Sequence, residues 1–236
     1  MIGYSQILLE DAEAEGDAAT VDDLNKIHGA GQHLLKIVNA VLDLSKIEAG
    51  KMDLFVETVD FAALVRSAAE RCRKRAADNG TGLRLELDRD LGLVRCDAHK
   101  TEQSLFHIID NAAKFTQGGS ILVSAARTHG ASGDEVMVAV RDTGIGIPAD
   151  ALPGLFRQFD GVEDATSSKY GGTGVGLALS QKLCRLMGGD VLVESEHGVG
   201  SCFTIRLPAG GASPQGEAAP EPRDGSDAQP ALAWAA

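Results

Sequence analysis

The 236-residue chain is predicted to be an α+β protein: an N-terminal helical hairpin followed by a two-layer α/β sandwich. Three observations carry that expectation. Apolar residues recur at alternating steps of three and four along residues 20–47, the mark of a helix with a packing seam. From residue 52 onward, period-two segments such as Glu135-Val-Met-Val-Ala-Val140 alternate with helix-length stretches, which layers hairpin-type strands with helices on one face. Glycine-rich segments stand between those elements, spaced to frame one pocket.

Residues 2–47 read as two helices. The first keeps Ile2, Leu8, Leu9 and Ala12 on one side and ends in the acidic stretch 13–19. Thr20 is expected to cap the second, with Asp22 and Asp23 in its first turn favouring the positive end of the dipole. Leu24, Ile27, Gly31, Leu34, Val38, Val41 and Ser45 then form a heptad seam that Leu35 and Leu42 widen. So small a hairpin has too little surface to bury alone, so it is expected to pair with a second copy as a four-helix bundle. Beyond it the pattern predicts a strand at 52–59 and helices at 60–78, 98–114 and 174–187. Further strands are expected at 83–88, 119–127, 134–141, 190–195 and 201–207. Residues 160–172 lack periodicity and read as a lid. After Pro208 the chain is rich in Ala, Pro and Gly and reads as a disordered linker or tail. The expected units are therefore 1–50, 51–208 and 209–236.

Composition narrows the function. Hydrophobic residues at 44% with 24% charged describe a core-forming soluble chain. A net charge of -12 argues against nucleic acid as a partner. Cys72, Cys96, Cys184 and Cys202 are scattered with no C-x-x-C pair, so they read as free core thiols in a reducing compartment. No apolar run of ~18 residues and no signal peptide is found, so this segment is expected to be cytoplasmic without membrane contact.

The chemistry lies in the glycine-rich segments and one helix. In Asp142-Thr-Gly144-Ile-Gly146 the carboxylate at a strand end can accept a hydrogen bond from an exocyclic amine such as adenine N6. Gly144 and Gly146 are expected to clear space where the ring lies against backbone. Asn111 and Lys114 lie three apart on one helical face. The amide oxygen of Asn111 suits a Mg²⁺ ion that keeps most of its water, and Lys114 supplies charge for phosphate oxygens. Gly172-Thr173-Gly174-Val175-Gly176-Leu177 leads into a helix whose first N–H groups attract a polyphosphate. Lys169, in the lid, is placed to close over phosphate. Leu155, Phe156 and Phe159 are placed to clamp the start of that lid.

These segments resemble the bacterial sensor histidine kinases, whose catalytic domain shares an ATPase superfamily with gyrase B, Hsp90 and the MutL repair proteins. Asn111-Ala-Ala-Lys114-Phe-Thr116 looks like the N box, and residues 142–147 like the G1 box. Residues 155–159 are similar to the F box, 171–177 to the G2 box and 198–203 to the last glycine motif. Residues 2–9 and 42–50 resemble the two helices of the dimerisation and phosphotransfer domain. The resemblance implies ATP and Mg²⁺ binding, phosphoryl transfer to a histidine, a homodimer, and a response-regulator receiver domain as partner, separate or fused downstream. Two departures stand out. The family's phosphoacceptor histidine is followed by an acidic residue, whereas His28, His33, His99, His107, His129 and His197 are followed by Gly, Leu, Lys, Ile, Gly and Gly. The acceptor is therefore expected to lie outside this chain, and the alternative is a nucleotide-binding signalling module without chemistry. The second departure is His107, where the kinases usually carry a further asparagine.

Overall fold

The computed structural model describes residues 2–130, 133–157 and 174–211. Two helices open it, α1 (Ile2–Glu15) and α2 (Ala18–Glu48). Asp17, and not Thr20, caps α2: its carboxylate accepts the Thr20 N–H at 3.2 Å and the Thr20 hydroxyl at 2.6 Å. Aspartate is among the strongest N-caps, and one three residues earlier takes the role. Asp22 and Asp23 consequently fall beyond the first turn, where both pair with Lys26. The inner stripe of α1 is Ile2, Ser5, Leu9 and Ala12, while Leu8 faces out. Along the expected seam Ile27, Leu34, Leu35, Val38 and Leu42 are all exposed, between 45% and 62%.

The remaining elements are β1 (Glu57–Asp60), α3 (Phe61–Asp78), β2 (Gly82–Leu87), β3 (Leu93–Cys96) and α4 (Ala98–Phe115). They are followed by β4 (Ser120–Gly130), β5 (Gly133–Asp142), α5 (Gly176–Leu186), β6 (Asp190–Glu196) and β7 (Gly200–Pro208). Five strands form one sheet in the order β2-β4-β5-β7-β6. The β4–β5 and β6–β7 neighbours are the expected hairpins, but β2 runs parallel to β4, because the connection between them carries α4 across the sheet and returns the chain in the same direction. The short strand β3, which the sequence reading missed, pairs with β1 in a separate two-stranded sheet. Four residues leave too little period-two signal to detect.

The alternation on the strands decides which face is covered. Val136, Val138 and Val140 of β5 are buried and stand in register with Leu207, Ile205 and Phe203 of β7. Ile121, Val123 and Ala125 of β4 continue the layer. Against this face pack Phe61, Val65 and Cys72 of α3, Leu105, Ile108 and Ile109 of α4, and Cys184 of α5. Asp60 and Asp97 cap α3 and α4, accepting from Ala63 N and Lys100 N. Ala209, which composition assigned to the tail, is buried; its N–H donates to Asp134 O and its carbonyl accepts from Arg95 N, both within 2.9 Å. A smaller apolar cluster ties the hairpin to the sandwich: Leu44 of α2 meets Val175, Leu179 and Leu183, flanked by a Lys182–Glu48 ion pair. All four cysteines are free thiols. No described helix is long and apolar enough to cross a membrane.

Candidate functional site

The loop that leaves β5 is stapled on three sides. Thr143 N donates to Ser120 O at the start of β4, and Ile145 N donates to Phe115 O at the end of α4. On the third side Gly198 N donates to Ile145 O, and Ile147 N to Ser195 Oγ. Loops carry function when a rigid scaffold positions them, and this one is held by α4, β4 and the β6–β7 turn together.

Asp142 sits at the root of that loop, 7% exposed. Its Oδ1 accepts the N–H of Gly144 at 2.8 Å and that of Ser201 at 3.3 Å. No described residue donates to Oδ2. Burial pushes the carboxyl above the ordinary aspartate range, against the pull of those two amides. One oxygen is thus fixed by backbone and the other is left as an acceptor. The next three residues, Thr143, Gly144 and Ile145, line a cleft of about 450 Å³ together with Lys114, Phe115, Gln117, His197 and Gly198. That volume lies in the range of small-ligand sites. Ile145 is 45% exposed and offers the cleft an apolar side chain. Ile145, Thr143, Gln117 and His197 were not singled out from sequence. A large apolar residue between two glycines at a strand end was the available signal for Ile145.

The two faces of α4 separate structure from chemistry. Thr101, Ser104, Leu105, Ile108, Ile109, Ala112 and Ala113 are buried at helical spacing. His107, Asp110, Asn111 and Lys114 occupy the other side, all half-buried. Burial holds the Lys114 ammonium below its usual range, and Arg75 adds to this while Asp110 opposes it. Burial raises the Asp110 carboxyl, countered by Arg75, Lys36 and Lys114; Arg75 Nη1 reaches it at 2.7 Å. Asn111 stands one turn before Lys114 on α4 and, unlike Lys114, does not line the cleft. Among the described residues no cluster of three His, Cys, Asp or Glu side chains forms a metal cage.

The N-terminus of α5 is the third component. Its N-cap, Val175, makes no side-chain capping bond, so the first-turn amides of Gly176, Leu177 and Ala178 have no side-chain partner there. The side chain of Val175 is fully buried against Leu44, and that of Leu177 packs into the main core. From those two sequence-predicted positions, only backbone is offered to a ligand. Gly174 takes a left-handed φ of 65°. Lys169, Gly172, Thr173, Phe159 and the lid lie outside the described residues.

The glycines divide by cause, and this corrects the sequence reading. A Cβ on Gly144 would sit 2.5 Å from Phe115 O, and one on Gly146 2.0 Å from Glu196 O. Gly200 would place one 2.1 Å from Asp142 O. These three are glycine because protein backbone passes there, whatever the cleft holds. Gly176 differs: a Cβ would make ordinary contact with the His107 ring at 3.7 Å. Packing does not require glycine at 176.

Of the histidines on the hairpin, His28 has both ring nitrogens engaged. Ser5 Oγ donates to Ile2 O, so His28 Nδ1–H donates to Ser5 Oγ at 3.1 Å, and Gln32 donates to Nε2 at 2.7 Å. These contacts hold the ring between α1 and α2.

Comparison with known proteins follows from this geometry. Residues 96–211 match the family described as histidine kinase-, DNA gyrase B-, and HSP90-like ATPase. A sensor-like histidine kinase of Rhizobium meliloti is 34% identical over 89% of this chain, which spans 39% of that protein. The circadian input-output histidine kinase CikA of Synechococcus elongatus is 35% identical over 88% of this chain, which spans 28% of it. Among solved structures, full-length ShkA in complex with AMPPNP superposes with a TM-score of 0.71 at 31% identity, over 84% of this chain and 40% of that one.

Proposed function

The chain belongs to the sensor histidine kinases, with their ATPase module at residues 96–211, and on that premise we propose that it binds Mg-ATP in the cleft beside Asp142 and donates the γ-phosphoryl to a histidine. The observation that carries the reading is the asymmetric hold on Asp142, one oxygen fixed by Gly144 and Ser201 and the other left to accept. Adenine N6 donates to Oδ2, and Ile145 lies against the base. Lys114 and the uncapped amides of Gly176, Leu177 and Ala178 receive the phosphates. Lys169, Gly172, Thr173 and Gly174 complete that cradle. The donor set suits Mg²⁺: with no carboxylate cage among the described residues, a metal here takes most of its ligands from phosphate and water, plus the Asn111 amide oxygen. When bound, it offsets charge on the triphosphate.

In the transfer, an imidazole nitrogen forms a bond to the γ-phosphorus as the bond to the β–γ bridging oxygen breaks. ADP leaves with that electron pair, and the imidazolium so formed loses the proton carried by its other ring nitrogen. This chemistry depends on positioning and charge neutralisation, which is what these elements supply. The acceptor is a histidine other than the six here, none of which precedes a carboxylate. The phosphoryl then passes to a receiver-domain aspartate. We assign the setting as cytoplasmic.

The absence of an acid-flanked histidine favours one rival, a module that holds nucleotide without chemistry. Incubating the chain with γ-labelled ATP and a separately supplied dimerisation and phosphotransfer domain separates the two. Label on the acceptor histidine supports the kinase. Tight nucleotide binding with no label on any acceptor supports the rival.

The exposed seam of α2 belongs to a homodimer in this proposal. Changing Leu34 and Val38 to Glu places two charges where apolar area would be buried. The dimer dissociation constant, read by light scattering across concentration, is expected to rise by about 100-fold or more. An unchanged dimer would move the interface elsewhere.

A further inference from the structure

The His107 side chain links α4 to the start of α5. Its ring packs against Gly176, the first residue of α5, with Cγ 3.7 Å from where a Cβ would stand. Its Nδ1 lies 3.2 Å from Ser180 Oγ. The Ser180 hydroxyl has a single proton and donates it to Gly176 O at 2.9 Å. Ser180 Oγ can therefore only accept from the ring, which makes His107 the Nδ1–H tautomer. The ring is neutral at working pH, since burial, then Arg71, pushes it down to about 4 against the pull of a hydrogen bond to the Gly176 backbone. Arg71 lies over the neighbouring Phe106 ring at 4.4 Å.

These contacts run from α4 to the first turn of α5, and they leave the Asn111 and Lys114 positions one and two turns further along. We infer that His107 is a positioning residue for the phosphate cradle: through Ser180 it fixes the first-turn carbonyl of α5, and so the spacing between the α5 amides and the phosphate-facing side of α4. This rests on the nucleotide reading above. Val175 gives α5 no side-chain cap, so the ties from His107, to the Gly176 backbone and through Ser180, hold its N-terminal turn from the α4 side. Misplacing the oriented groups of a site by a fraction of an ångström weakens what they hold.

Asparagine and glutamine variants locate the responsible nitrogen. His107→Asn places an N–H where Nδ1 stands and keeps the donor to Ser180. His107→Gln places one where Nε2 stands and loses it. His107→Leu keeps bulk alone, and Ser180→Ala removes the relay. For His107→Leu, His107→Gln and Ser180→Ala, Mg-ADP affinity by calorimetry is expected to fall about tenfold, with His107→Asn within about twofold of the parent. Thermal melting of each variant checks that the fold survives. In nucleotide-free protein, hydrogen exchange at Leu179 and Ser180 is expected to speed up in the leucine variant and not in the asparagine one. Affinity in His107→Leu equal to the parent, or rescue by Gln in place of Asn, overturns the assignment. If the parent itself binds no nucleotide while the exchange pattern holds, the nucleotide reading fails and the link between the helices stands.

Discussion

Replacing Asp142 by Asn is expected to weaken nucleotide binding by about 100-fold or more while leaving the fold intact. The geometry fixes which way the amide turns. Gly144 N–H and Ser201 N–H both point at Oδ1, so the asparagine oxygen takes that position and the NH₂ falls where Oδ2 was. A donor then faces the adenine amine, itself a donor. The variant loses a charge-assisted bond and gains a mismatch, which a site built to accept a hydrogen bond tolerates poorly. Folding moves the other way. Burial raises the native carboxyl above its unfolded value, so its contribution to stability is fully present below the unfolded pKa and lost as pH rises through the folded one. At neutral pH the charged form is a cost that the asparagine does not carry. Calorimetry for affinity and thermal melting for stability are therefore expected to diverge: binding lost, melting temperature unchanged or raised at pH 7, with that gain vanishing towards low pH. Loss of binding together with a lower melting temperature would make Asp142 a structural residue.

The second large effect contrasts two glycines of the same site. Gly146→Ala is expected to destabilise the protein by about 3 kcal/mol or more. Its φ of 63° is left-handed, and the new methyl would stand 2.0 Å from Glu196 O, a backbone atom that cannot swing aside. Gly176→Ala meets only the flank of the His107 ring at 3.7 Å, and alanine suits a helix better than glycine. Its melting temperature is expected to hold or rise slightly. Nucleotide affinity should nonetheless fall about tenfold, because a Cβ obstructs phosphate approach to the first-turn amides. Denaturant unfolding and calorimetry on both variants check the pair. A Gly176→Ala protein that binds as well as the parent would remove α5 from the cradle.

The contrast also shows what the sequence could and could not disclose. Glycine at 144, 146 and 176 looks alike in a string of letters, and all three were read as room for a ligand. The fold separates them, because Phe115 O and Glu196 O approach two of them from strands and helices distant in sequence. Periodicity revealed α3, α4, α5 and the longer strands to within a few residues, since each carries a full stripe. It missed β3, and it gave the cap of α2 to Thr20 when Asp17 lay within reach. The parallel placement of β2 beside β4 depends on how α4 crosses the sheet between them, a tertiary fact. Asp142, Asn111 and Lys114 were legible as a set, and the structure brings Lys114 to the cleft and Asp142 to its root. Ser180, the hydrogen-bond partner of His107, sits 73 residues away, and no local pattern connects them.

A crystal grown with Mg-AMPPNP tests the central claim most directly. The account predicts adenine N6 within hydrogen-bond distance of Asp142 Oδ2, the base beside Ile145, and phosphate oxygens against Lys114 and the Gly176 and Leu177 amides. Density for the analogue elsewhere, with Asp142 turned away from it, would contradict the account.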